Sequence, residues 1–128
     1  MTATLAEPPF PGFHAFQQVV SEVEFMPDGW RSVLKASKGV YLMICPDTGA
    51  QYVGSAVGPD GFYGRWLEYA RDGNGGNALL KDRDARKFLV SILEVAPSSA
   101  TLDETEILSR EAVWKRKLGS RVHGLNAN

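Results

Sequence analysis

Hydrophobic and polar positions along this chain recur with two periods, and each change of period marks an element. Val40–Cys45 and Gln51–Ser55 are short runs rich in β-branched and aromatic residues, and they read as strands. Between them Pro46-Asp47-Thr48-Gly49 is a four-residue hairpin connection, with glycine last for a positive φ. Phe88–Val95 is a third strand, nearly continuous in apolar residues, as a strand covered on both faces would be. Helical spacing recurs between these runs. Asp28 is placed to cap a helix over Gly29–Ser37, with Trp30, Val33 and Leu34 on one side. Phe62–Arg71 spaces Phe62, Trp66, Tyr69 and Ala70 as a second helix, and Leu102–Leu118 puts Ile107, Leu108, Trp114 and Leu118 on one stripe. A short strand within Phe13–Val20 and a short helix over Ala78–Asp84, capped by Asn77, complete the pattern.

This order divides the chain into three parts. Residues 1–12 are proline-rich and aperiodic, and are expected to be a flexible lead-in. Residues 13–38 hold a lead-in strand and helix that pack on the main domain, which runs over 39–128. Its tail from Gly119 is expected to be a loop anchored by Leu125. The length of 128 residues fits one domain with a real core.

Composition narrows the function classes. A single cysteine, Cys45, excludes a disulfide framework and any cysteine-built zinc site, and its place in an apolar run makes it a small core residue. No run reaches the ~18 apolar residues of a membrane span, and the N-terminus lacks the pattern of a signal peptide. A cytoplasmic location without membrane contact is the default expectation. Charge is divided unevenly. Residues 1–60 hold three Lys and Arg against six Asp and Glu, whereas residues 61–128 hold eleven against nine. The cations of the second half are either solvated helix faces or a local face for a phosphate backbone.

The familiar hydrolase devices are missing. His14 and His123 are far apart and share no motif with a nucleophile. No G-x-S-x-G occurs, and Gly58–Gly64 lacks the G-K-[ST] of a phosphate-binding loop. What remains is a dispersed polar set: Tyr41, Tyr52, Arg65, Tyr69, Glu111 and Asn126. The even-numbered hairpin loop pairs Tyr41 with Gly54 and Met43 with Tyr52, which brings both tyrosines to one sheet face. Arg65 and Tyr69 are four apart and share one side of a helix. Glu111 interrupts the apolar stripe of the last helix, where an unpaired carboxylate is costly.

Taken in order, GVY at 39–41, YVGSA at 52–56, GRW at 64–66, GGN at 75–77, FLVSILEV at 88–95, REAVWKRKL at 110–118 and GLN at 124–126 resemble the GIY-YIG nuclease domain. The resemblance covers about residues 39–126. It implies an α+β fold, an α/β sandwich of a three-stranded antiparallel sheet flanked by helices in the order β-β-α-α-β-α, with the active site on one sheet face. It also implies one Mg²⁺ or Mn²⁺ ion and hydrolysis of DNA by water. In that scheme Glu111 is the sole protein ligand of the metal and Arg65 forks onto the phosphate. Tyr41 is the general base or positions the water, with Tyr52 as its hydrogen-bonding partner or substitute. Asn126 holds the last segment or contacts the phosphate environment. Tyr69 stands where the family often has histidine, and Asn77 where one branch has a second one. Two alternatives accompany this scheme: a catalytically silent nucleic-acid-binding domain of the same fold, and a nuclease module that needs a separate targeting partner.

Overall fold

The computed structural model describes residues 7–73, 84–96 and 104–126. The described elements are strand β1 (Gln17–Val19), a 3-10 segment (Val20–Phe25), helix α1 (Asp28–Lys35), strands β2 (Gly39–Ile44) and β3 (Gln51–Ala56), helix α2 (Gly61–Asp72), a 3-10 turn (Ala85–Lys87), strand β4 (Leu89–Val95), helix α3 (Glu104–Leu118) and helix α4 (Ser120–His123). The short helix expected over Ala78–Asp84 and its cap Asn77 fall almost wholly outside the described residues.

The hairpin register is the one its loop length dictates. Tyr41 pairs with Gly54 and Met43 with Tyr52, and the Cys45 N–H donates to the Ala50 carbonyl at 2.9 Å to close the turn. Gly49 ends the turn at φ 75°. The sheet is antiparallel throughout but has four strands, in the order β1-β4-β2-β3. The lead-in strand is the fourth, pairing Gln18 with Val90 on the far side of β4.

The sheet separates two cores. On one face Tyr41, Met43, Val90 and Phe88 meet Phe62, Trp66 and Tyr69 of α2 and the lead-in residues Phe16, Val20, Val23 and Leu34. Trp66 is fully buried and stacks on Phe16 at 5.6 Å, which ties the lead-in to α2. On the other face Val40 and Val53 meet Ile107, Trp114 and Leu118 of α3. A bulge in β4 lies between these layers. Val40 pairs with Glu94 but Tyr41 with Ile92, so Leu93 is the extra residue. A bulge shifts the alternation of faces, and here both Leu93 and Glu94 reach the α3 layer.

Four expectations are corrected. Asp28 does not cap α1: it is the first helical residue and pairs with Arg31, while the Gly29 N–H is taken at 3.0 Å by the Glu7 carboxylate. Residues 7–12 are therefore not a loose lead-in. The Pro8 carbonyl accepts the Trp30 indole N–H at 2.8 Å, and Phe10 packs edge-on to Phe13 and Trp30. Leu108 leaves the α3 stripe and is 43% exposed, because the helix turns only its Ile107 side to the sheet. The tail is not a plain loop: Gly119 at φ 63° ends α3 and starts α4, and Leu125 is buried as expected.

Candidate active site at the edge of the sheet

The hydroxyl end of the Tyr41 ring lies against Gly54. A Cβ built on Gly54 would sit 2.4 Å from the Tyr41 Cζ, so only glycine leaves room for the ring. The hairpin thus fixes the phenol by shape before any polar contact. Tyr41 also meets Trp66 edge-on at 6.0 Å and Tyr69 at 6.4 Å. Its hydroxyl shares a hydrogen bond with the Tyr69 hydroxyl at 3.2 Å. Tyr69 in turn accepts from Arg65 Nη2 at 3.1 Å, and the guanidinium lies 4.7 Å over its ring. Arg65 Nη1 pairs with Glu68 at 3.0 Å. Arg65, Tyr69 and Tyr41 therefore form one polar chain from the surface of α2 to the sheet.

Tyr52 shares the Tyr41 face and is half-buried against the same core. It is not the hydrogen-bonding partner of Tyr41; that place is taken by Tyr69, because α2 lies directly over β2 and β3 at this point. Burial is the main influence on both bonded phenols. It pushes Tyr41 well above the ordinary phenol range, against the opposing charge of Arg65. Tyr69 is raised in the same way by burial and by its phenol neighbours. Both are neutral at physiological pH.

Glu111 lies across the sheet from this chain. It sits on α3, between Ile107 and Trp114, in the layer that covers the opposite face. Its side chain is 17% exposed and pairs with the buried Lys115 Nζ at 3.4 Å. The expectation of a site on one sheet face is therefore corrected: α2 and α3 flank the hairpin from opposite sides, and both pack on its two strands, β2 and the outer strand β3. α3 is held in place by Glu94, which accepts from Arg110 Nη1 and, at 3.1 Å, from Trp114 Nε1. These two residues stand immediately before and three after Glu111.

Asn126 is buried and fully engaged with β3. Its Oδ1 accepts the Val53 N–H and its Nδ2 donates to the Val53 carbonyl, both at 2.8 Å. The Leu125 N–H adds a bond to the Gln51 carbonyl at 2.7 Å. In this register residues 51, 53 and 55 turn their backbone groups outward. Ser55 is the next outward residue, and among the described residues its outward N–H and carbonyl have no partner. It lines an open cleft of about 350 Å³ with Arg65, Gly58, Asp60, Gly64 and Glu68. Ser55 was not among the residues singled out from sequence, although the odd-even alternation of the hairpin assigns it to the edge.

Among the described residues no group of three or more His, Cys, Asp or Glu side chains forms a ready metal cage. Hard cations of the Mg²⁺ type keep several waters and take only one or two carboxylates. Glu111 fits that pattern, being partly accessible and held by one long ion pair.

An arginine fork and two phenols on one side of an edge strand, with a lone carboxylate on the other, suit attack on a phosphodiester. The class so defined is a small single-sheet nuclease domain. The family model of the GIY-YIG catalytic domain matches residues 37–126, and the chain belongs to the GIY-YIG nuclease family. Among solved structures it is similar to a glutamate-to-alanine mutant of the catalytic domain of the intron endonuclease I-TevI. The identity is 26%, the TM-score 0.58, and the match covers 72% of this chain and 94% of that one. A second structure, the catalytic domain of the homing endonuclease I-TevI, matches at 26% identity and a TM-score of 0.53, over 71% of this chain and 98% of that one. No curated protein matches the chain.

Proposed function

We propose that this protein is a divalent-metal-dependent endonuclease that hydrolyses DNA phosphodiester bonds at the edge of β3. The observation that carries the reading is the continuous chain Arg65–Tyr69–Tyr41 over Gly54, next to the open cleft at Ser55. The resemblance of the fold to the catalytic domain of a homing endonuclease supports it. Hydrolysis of a phosphodiester needs the phosphate charge neutralised, a water oriented and the leaving oxygen stabilised.

Arg65 is always charged, and its planar fork matches two phosphate oxygens. Tyr69 holds that fork by hydrogen bond and by its ring. Tyr41 is a buried neutral phenol, so it orients and donates, and does not take up a proton in the free protein. Tyr52, half-buried on the same face, presents the more accessible phenol to the attacking water. Glu111 would hold the divalent ion, which supplies Lewis-acid stabilisation of phosphate charge. Asn126 acts through β3, keeping its edge straight beside the cleft.

The test is incubation of supercoiled plasmid and of single-stranded DNA with the protein, in Mg²⁺ or in EDTA, alongside Glu111→Gln and Arg65→Lys. Cleavage in Mg²⁺ that stops in EDTA and in Glu111→Gln supports the reading. Cleavage that continues in EDTA sinks the metal requirement. A protein that binds DNA and leaves it intact under all conditions would be a silent nucleic-acid-binding domain of this fold.

A further inference from the structure

From residue 112 onward the sequence contains four Lys and Arg and no Asp or Glu. The fold gathers them. Gly119 turns the chain at the end of α3, and the N–H groups of Val122 and His123 return to its carbonyl, at 3.2 and 2.8 Å. α4 thus starts directly from the end of α3, one residue after it. Lys115 belongs to Glu111 and is buried. Arg116, Lys117 and Arg121 are exposed. Among the described residues no carboxylate pairs with any of the three, and Lys117 instead lies 5.1 Å over the Trp114 ring. Of the other described arginines, Arg31, Arg65, Arg86 and Arg110 each hold a carboxylate and Arg71 does not.

Cations at a helix C-terminus complement its dipole, which accounts for a basic last turn of α3. It accounts little for Arg121, because α4 is a single turn of four residues with little dipole of its own. Nor does it account for the lack of any acid in a stretch of this length. The corner is also firmly seated, because Leu125 and Asn126 fix it to Gln51 and Val53 of β3. Arg65 and Ser55 are at the other end of that strand, about 13 Å away at the usual rise per residue. Glu111 stands about two helical turns before Gly119 on α3.

We infer that the α3–α4 corner is a second DNA contact, gripping backbone phosphates to one side of the scissile bond, with Arg116 and Arg121 as its main contacts. A DNA strand following the β3 edge passes from the Arg65 cleft to this corner. The inference rests on the nuclease reading for its substrate, and it adds where the rest of that substrate lies.

Each phosphate neutralised by a cation steepens the dependence of log affinity on log salt by about 0.9. Binding of a labelled duplex to the full chain is measured by anisotropy in EDTA, between about 50 and 200 mM salt. The Arg116→Gln/Arg121→Gln protein is expected to give a slope shallower by about 1.8, for two lost contacts. Lys35→Gln, on α1 in the layer over the sheet face opposite α3, is expected to leave it unchanged. An unchanged slope in the double variant overturns the proposal, as does an equal change in Lys35→Gln. Circular dichroism reports whether the double variant folds. Should it not fold, Arg121→Gln alone is read, with a shallowing of about 0.9 expected and none overturning the proposal. Because binding is read without metal, a chain that grips DNA through this corner but never cuts it would sink the nuclease reading alone. A chain that cuts DNA with an unaltered slope would sink this inference alone.

Discussion

Tyr41 and Gly54 contend for one volume, and that contact decides how the remaining site residues are used. The ring lies where a side chain at residue 54 would be, so its hydroxyl is directed at Tyr69. The sequence pattern was enough to put both hairpin tyrosines on one face, since strand alternation and loop length set the register. It was not enough to tell which residue would bond Tyr41, because that depends on where the axis of α2 crosses the sheet. The buried phenols make a test at this scale. A group held neutral by burial contributes stability below its unfolded pKa, near 10 for tyrosine, and loses it as pH rises beyond that value. Native protein should therefore lose about 1.4 kcal/mol more than Tyr69→Phe between pH 9 and about pH 11, in urea denaturation. Equal losses would mean that Tyr69 is not held neutral by the fold. Arg65→Lys keeps the charge but not the fork, and about 10²-fold to 10³-fold lower kcat is expected on plasmid. Ser55 offers a third test. Proline is tolerated on an edge strand where the N–H faces outward. If the Ser55 N–H contacts the substrate, Ser55→Pro should lose at least tenfold in cleavage, a loss of about 1.4 kcal/mol. Ser55→Ala should lose less, and thermal melting should show both folded.

The proposed reaction uses side chains of α2 and α3, and Asn126 and Glu94 would hold the elements beside them in place. Asn126 holds β3 through both backbone groups of Val53, and leaving two buried backbone groups unpaired should cost about 2–4 kcal/mol in Asn126→Ala. Chemical denaturation measures it. Its kcat per folded molecule should fall less than that of Arg65→Lys if the role is to hold the strand. Glu94 does for α3 what Asn126 does for β3, through Arg110 and Trp114 on either side of Glu111. Glu94→Gln should therefore raise the Mg²⁺ concentration needed for half-maximal cleavage, with a smaller effect on DNA binding in EDTA. The strands, α1, α2 and α3 were legible from periodicity because each has a face pressed on the core. The Leu93 bulge was not: in a strand apolar on both faces, one extra residue leaves no mark on the pattern. α4 was not legible either, since a single turn held by the Gly119 carbonyl needs no hydrophobic repeat.

At the scale of the whole molecule, the folded unit is larger than the family match. The match begins at residue 37, yet Phe16, Val20, Val23 and Leu34 are core residues and β1 covers one side of β4. Glu7, Pro8 and Phe10 extend the unit further by fastening α1. A protein begun at residue 37 should be insoluble or unfolded, whereas one begun at residue 13 should fold with a lower melting temperature. Losing the partly buried Phe10 alone accounts for about 1–2 kcal/mol. No helix among the described residues is long and apolar enough to cross a membrane. The capped edge of β3 has a consequence for handling the protein. Unpaired strand edges recruit other chains, and short strands or side-chain caps blunt them. Here β1 has only three residues, and Asn126 and Leu125 occupy Val53 and the Gln51 carbonyl. The backbone left open at Ser55 lies in the cleft assigned to the substrate, so stickiness and activity share one address. Added duplex should suppress aggregation of concentrated protein.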